Sequence, residues 1–110
     1  LLAAFREQPT TPPSVKEATA VVGEDVLRAL VEGGQLAQVS EDVLFDAETY
    51  AWLVEQVEAF IGEHGSITVA QARDLFATSR KYVLALLEHL DGAGVTVRRG
   101  DERVLKHAAQ

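Results

Sequence analysis

Ser79-Arg80-Lys81-Tyr82-Val83-Leu84-Ala85-Leu86-Leu87-Glu88-His89-Leu90-Asp91-Gly92-Ala93-Gly94-Val95-Thr96-Val97-Arg98-Arg99-Gly100-Asp101-Glu102-Arg103-Val104-Leu105 carries three structural signals in succession. Tyr82, Val83, Leu86, Leu87 and Leu90 recur at three- and four-residue spacing, one apolar stripe of a helix that Thr78 or Ser79 can cap. Gly92-Ala93-Gly94 then breaks the helix, because glycine enters the left-handed backbone region of a helix C-terminus without steric penalty. Residues 95–98 and 103–105 are β-prone arms around the polar tip Arg99-Gly100-Asp101-Glu102, the pattern of a two-stranded hairpin.

The same order of signals occurs earlier in the chain. Val26-Leu27-Arg28-Ala29-Leu30-Val31 aligns with Val83-Leu84-Ala85-Leu86-Leu87 at an offset of 57 residues. Gly33-Gly34 follows, then a second hairpin pattern around Ser40-Glu41-Asp42. Upstream, Ser14-Val15-Lys16-Glu17-Ala18 aligns with Thr68-Val69-Ala70-Gln71-Ala72, and Phe5 with Phe60. Asp46 is a good N-cap for a helix whose stripe is Tyr50, Leu53, Val54, Val57, Phe60 and Ile61, with Gly62 and Gly65 expected to end it. Pro9, Pro12 and Pro13 mark a loop after the opening helix. Two copies of helix, short helix, helix and hairpin follow from these signals. The predicted fold is mostly α with short antiparallel hairpins (α+β), two tandem winged-helix domains over residues 1–46 and 47–110.

Charge separates the two copies. Residues 1–70 carry three Lys/Arg against twelve Asp/Glu, and residues 71–110 carry seven against five, within a formal net charge of −7. Five of the ten basic residues fall in two clusters, Arg80-Lys81 and Arg98, Arg99 and Arg103. At the offset of 57, Ser79-Arg80-Lys81 face Val22-Gly23-Glu24, and the basic tip faces Ser40, Glu41 and Asp42. Folding therefore does not require cations at these places. Cations in a helix's first turn oppose the macrodipole by ~0.3–1 kcal/mol, yet that end offers unpaired backbone N–H groups to a phosphate oxygen. Solvated-edge or ion-pair duty accounts for any one of these arginines taken singly. The two clusters together read as a nucleic-acid contact.

Thr78 through Asp91, followed by Gly94-Val95-Thr96 and Arg99-Gly100-Asp101-Glu102-Arg103-Val104-Leu105, resembles the end of the bacterial selenocysteine-specific translation elongation factor. The similarity is strong over residues 47–110 and looser over the first copy. It implies tandem winged helices, the last of which binds the selenocysteine-insertion hairpin of the messenger RNA beside a recoded UGA codon. Ser79, Arg80 and Lys81 are then expected to approach the hairpin, with Arg98, Arg99 and Arg103 nearby on the wing. It further implies a cytoplasmic setting, the ribosome as a partner through the parent protein, and a monomer. The GTPase of that family has no counterpart here, since no Gly-x-x-x-x-Gly-Lys-[Ser/Thr] loop occurs. Residues 107–110 match nothing in the family.

Other chemistries find little support. The chain has no Cys, hence no disulfide or thiolate site, in keeping with a reducing compartment. No apolar run reaches the ~20 residues that span a bilayer. A start at Leu1-Leu2 without Met points to a piece of a longer protein. His64, His89 and His107 are scattered, with no metal-ligand spacing, and no nucleophile–base pair is present. Gly33-Gly34-Gln35 matches a release-factor tripeptide but sits where glycine simply ends a helix. Trp52 and Phe45 read as packing residues where the copies join. No enzyme, cofactor or metal is expected. Two rivals remain, a DNA-binding winged-helix regulator and a protein-docking module. The first is disfavoured because the face after Lys81 offers Leu84, Ala85 and Glu88, poor material for reading base edges.

Overall fold

Each helix–helix–helix–hairpin signal becomes one compact unit in the computed structural model, which describes residues 1–106. The units are Leu1–Ala51 and Trp52–Gln110. Residues 107–110, His107 among them, lie outside the described residues. The first unit runs α1 (Leu2–Glu7), α2 (Val15–Val22), α3 (Glu24–Glu32), β1 (Leu36–Gln38) and β2 (Leu44–Asp46). The helix α4 (Ala47–His64) follows, then β3 (Ile67–Thr68), α5 (Val69–Leu75), α6 (Arg80–Gly92), β4 (Thr96–Arg99) and β5 (Glu102–Leu105). The change from one unit to the next falls within α4, a little past the division after residue 46 read from the sequence.

Matching local chemistry explains why both units adopt this order. Ser14 and Thr68 each open a short helix with a reciprocal capping box. The Ser14 hydroxyl accepts from the Glu17 N–H at 3.1 Å, and the Glu17 carboxylate accepts from the Ser14 N–H at 3.0 Å. Thr68 and Gln71 make the same pair of bonds at 3.1 and 2.9 Å. Two donors that a helix start leaves orphaned are thereby satisfied in each unit. The third helices end alike. Gln35 N–H reaches Leu30 O and Gly34 N–H reaches Val31 O, while Val95 N–H reaches Leu90 O and Gly94 N–H reaches Asp91 O. Gly34 and Gly94 both sit at φ +79°, so each helix closes on a Schellman motif with glycine in the left-handed position. A third such motif ends α5, where Thr78 N–H bonds Arg73 O and Ala77 N–H bonds Asp74 O. Its left-handed residue is Ala77, at φ +51°.

The repeat is not uniform in length. The capping boxes stand 54 residues apart, the third-helix starts 56, and the Schellman glycines 60. The single offset of 57 is therefore corrected. Two residues enter the turn before α6, and four enter α6 itself, which has 13 residues against 9 in α3. Four residues are about one helical turn, so the added length keeps the apolar stripe on one face. Arg80 and Lys81 consequently face Glu24 and Asp25, and Ser79 faces Gly23.

Apolar burial holds each unit. Phe5, Ala18, Leu27, Leu36 and Leu44 form the first core, with Leu2, Val15, Leu30 and Val31 packed around it. In the second unit Leu53, Val57 and Ile61 of α4 are buried, as are Ile67, Ala72, Phe76, Val83, Leu86, Leu87 and Leu90. Each fully buried Leu or Ile contributes roughly 1.5–3 kcal/mol by removal from water. Phe60 is not among them; its ring leans on the His64 imidazole with centroids 4.3 Å apart, and Ile61 takes the buried place. Gly62 lies inside α4, and Gly65, at φ +91°, follows its end. Asp46 does cap α4, its carboxylate accepting from Glu48 N–H at 3.2 Å.

Neither sheet is large. β1 and β2 pair antiparallel, Leu36 opposite Asp46 and Gln38 opposite Leu44. The second sheet has the order β3-β5-β4, with Ile67 opposite Arg103, Arg98 opposite Arg103 on the other side, and Arg99 opposite Glu102. β3 was not foreseen from the sequence, because two residues leading into a helix show no strand periodicity. A single bridge, Ser14 to Val43, holds the equivalent place in the first unit. Among the described residues no helix is long and apolar enough to cross a membrane.

Candidate nucleic-acid interface

α6 begins without an acidic residue in its first turn, and its N-cap Ser79 makes no side-chain cap bond. α3 begins instead with Glu24 and Asp25, placed favourably at the positive end of the helix. With Arg80 and Lys81 in the places of Glu24 and Asp25, the charge contrast between the two helix starts is a full inversion. Arg80 and Lys81 are exposed, and Lys81 Nζ lies 5.4 Å from the centre of the Tyr82 ring. The Arg80 side chain makes no hydrogen bond or ion pair among the described residues. It is held outward by the burial of Val83, Leu86 and Leu87 on the opposite face.

The wing turns on Gly100-Asp101 between the paired residues Arg99 and Glu102. Gly100 has φ +63°, and among the described residues no non-glycine other than Ala77 has positive φ, which is the type II′ pattern with glycine first. Side chains alternate along β4, so Thr96 and Arg98 share one face and Val97 and Arg99 the other. Arg98 folds toward the tip, its Nε donating to Gly100 O at 2.9 Å.

Arg80, Leu84, Arg98, Asp101 and Arg103 line a hollow of about 360 Å³, completed by Thr68, Val69 and Ala70 at the start of α5. Three of the six expected contact residues are therefore brought together. Ser79 and Lys81 stand at the adjacent helix start, outside that lining, and Arg99 lies on the other face of the wing, opposite Glu102. Arg103 requires a correction. It is only 2% exposed, and its guanidinium is engaged with Asp91 through Nε at 3.3 Å and Nη2 at 3.2 Å, both to Oδ2. Thr96 Oγ1 donates to Asp91 Oδ1 at 2.6 Å. A guanidinium so enclosed has no free face for a ligand. Four exposed cations, Arg80, Lys81, Arg98 and Arg99, remain against the two tip carboxylates Asp101 and Glu102, and the corner stays positive.

Sequence reasoning missed the role of Asp91, which meets Arg103 twelve residues later and carries no local signal. Leu84 could have been found, since it sits four residues after Arg80 and shares its helix face. His64 and His89 ride α4 and α6, and no cluster of metal-ligating side chains occurs among the described residues.

Known proteins resemble this chain over most of its length. Residues 59–105 match the family model of the winged helix of elongation factor SelB. A selenocysteine-specific elongation factor from Desulfomicrobium baculatum is 30% identical over 101 residues, 86% of this chain and 16% of that protein. The chain belongs to the selenocysteine-specific elongation factor family. The Haemophilus influenzae member is 32% identical over 76 residues, 66% of this chain and 12% of its own length, so the chain spans under a fifth of either relative. The mRNA-binding domain of elongation factor SelB from E. coli, solved in complex with SECIS RNA, has a TM-score of 0.75 at 23% identity. That likeness covers 94% of this chain and 95% of that one. A bacterial selenocysteine-specific elongation factor crystal structure gives 0.73 at 24% identity, over 86% of this chain and 16% of that one. These likenesses establish the winged-helix fold of this family member.

Proposed function

We propose that the second unit docks a messenger-RNA hairpin, the selenocysteine-insertion element, so that selenocysteine enters at a UGA codon during translation. The observation that carries this reading is the cationic hollow itself. Arg80 on a helix start and Arg98 on a wing reach the same space from two elements, where the first unit carries Glu24 and Asp25 at its own helix start. An A-form major groove is too narrow to admit a helix, so recognition falls on backbone phosphates and splayed loop bases. A patch at a helix start suits that task because it needs no groove insertion. Arg80, Lys81, Arg98 and Arg99 hold phosphates, and Ser79, whose hydroxyl the helix does not use, is free to read an extruded base. Arg103 supports the site from within rather than touching RNA.

The first unit, acidic at the corresponding corner, serves as spacer or docking module. The parent protein brings the chain, as a monomer, to the cytoplasmic ribosome. Titration of a fluorescent hairpin against Arg80→Ala and Lys81→Ala tests the reading. Each should lose roughly tenfold in affinity, about 1.4 kcal/mol, and flatten the salt dependence by roughly 0.7–0.9 in log–log slope. Unchanged affinity in both rejects it. Equal competition by duplex DNA favours the transcription-regulator reading instead.

A further inference from the structure

We infer that Arg103, held by Asp91, is a positioning residue that fixes the distance between the wing cations and the start of α6. The inference rests on the RNA reading above and adds a residue to it that makes no contact with RNA. Three hydrogen bonds converge on one carboxylate in the last turn of α6, from Thr96 on β4 and from Arg103 on β5. Both wing strands are thus tied to the same point of the helix that carries Arg80 at its other end. Arg103 lies between Ile67 of β3 and Arg98 of β4 in the sheet, so its backbone sets where Arg98 stands. Its side chain forms part of the wall of the hollow while its guanidinium is turned to Asp91.

The arrangement is chemically pointed. Arg98 and Arg103 are like charges directly opposite each other, which destabilises a strand pair. Asp91 neutralises the inner one and leaves the outer one for a ligand. Without the tie, a two-stranded wing would have to be ordered against α6 each time RNA bound, and that ordering subtracts from affinity. Asp91 is supplied by the last turn of α6; counted back from the closing glycine, Val31 holds that place in α3, and Leu36 and Leu44 stand where Thr96 and Arg103 do, so the first unit has apolar packing instead of the brace.

Asp91→Asn separates this idea from simple electrostatics. The substitution removes a negative charge, so long-range attraction alone would tighten hairpin binding. A positioning role instead predicts five- to tenfold weaker binding with an unchanged salt slope, and lower backbone order parameters at Gly100 and Asp101. The double variant Asp91→Leu/Arg103→Met replaces the ion pair by apolar packing, which buried pairs tolerate. It should fold and keep the parental slope, whereas a direct phosphate contact by Arg103 would lower the slope by roughly 0.7–0.9. Parental or tighter binding by Asp91→Asn overturns the inference, as does slope loss in the double variant. If Asp91→Asn does not fold, the double variant alone decides. Arg80→Ala, measured alongside, reports on the RNA reading independently, because it changes the slope whichever way the brace behaves.

Discussion

Ala77 occupies a backbone position that its neighbours in kind leave to glycine. Gly34 and Gly94 close α3 and α6 at φ +79°, and Ala77 closes α5 at φ +51° with the same pair of hydrogen bonds. A Cβ in the left-handed region crowds the following carbonyl and costs about 1–2 kcal/mol, a strain glycine does not bear. Ala77→Gly should therefore raise stability, by about 1 kcal/mol net of the extra freedom glycine gives the unfolded chain. Urea denaturation would show a higher midpoint at constant m-value; a lower midpoint would mean the turn is not strained. The same residue-by-residue view explains what was legible in the sequence. Ser14, Thr68, Gly34 and Gly94 could be read because caps and helix ends are local chemistry. Arg103 could not, because an arginine on a β-prone arm reads as exposed until its partner on another element is known.

At the scale of the element, α6 is built against its own interest. Its first turn carries Arg80 and Lys81 where the macrodipole favours carboxylates, and α3 shows the favourable version with Glu24 and Asp25. The variant Arg80→Glu/Lys81→Asp should accordingly be more stable than the parent by about 0.5–1 kcal/mol at low salt, while losing hairpin binding. Thermal unfolding in parallel with RNA titration checks both halves of this statement. Loss of stability together with binding would instead make the cations structural. The sequence disclosed α6 and its buried Val83, Leu86, Leu87 and Leu90 because apolar periodicity is strong over 13 residues, although Tyr82 is only partly buried. It blurred the comparison with α3 because one fixed offset cannot absorb two insertions, and β3 was invisible because two residues have no period.

For the whole molecule, duplication made the reading possible. One unit acts as a control for the other, with the same caps, the same Schellman closures and opposite charge at the corner. RNA-induced chemical-shift changes should therefore concentrate at residues 78–82 and 98–102 and spare 22–25. Equal perturbation of both regions would assign binding to nonspecific attraction. The fold class was legible from end to end, since every helix signal recurred. The cationic hollow was legible in part, since the clusters, and Leu84 on the helix face of Arg80, could be read, while the wall contributed by Thr68, Val69 and Ala70 comes from a stretch that only folding brings there.

Trp52 gives the molecule one further property. It is the chain's sole tryptophan, belongs to the second unit, is 47% exposed, and meets the Phe76 ring edge-on at 5.7 Å between centroids. Because Phe76 sits at the end of α5, melting of that unit frees the indole from its aromatic neighbour and shifts its emission. Intrinsic fluorescence excited at the indole band is thus an optical label for the second unit alone, with the acidic first unit dark in the same trace.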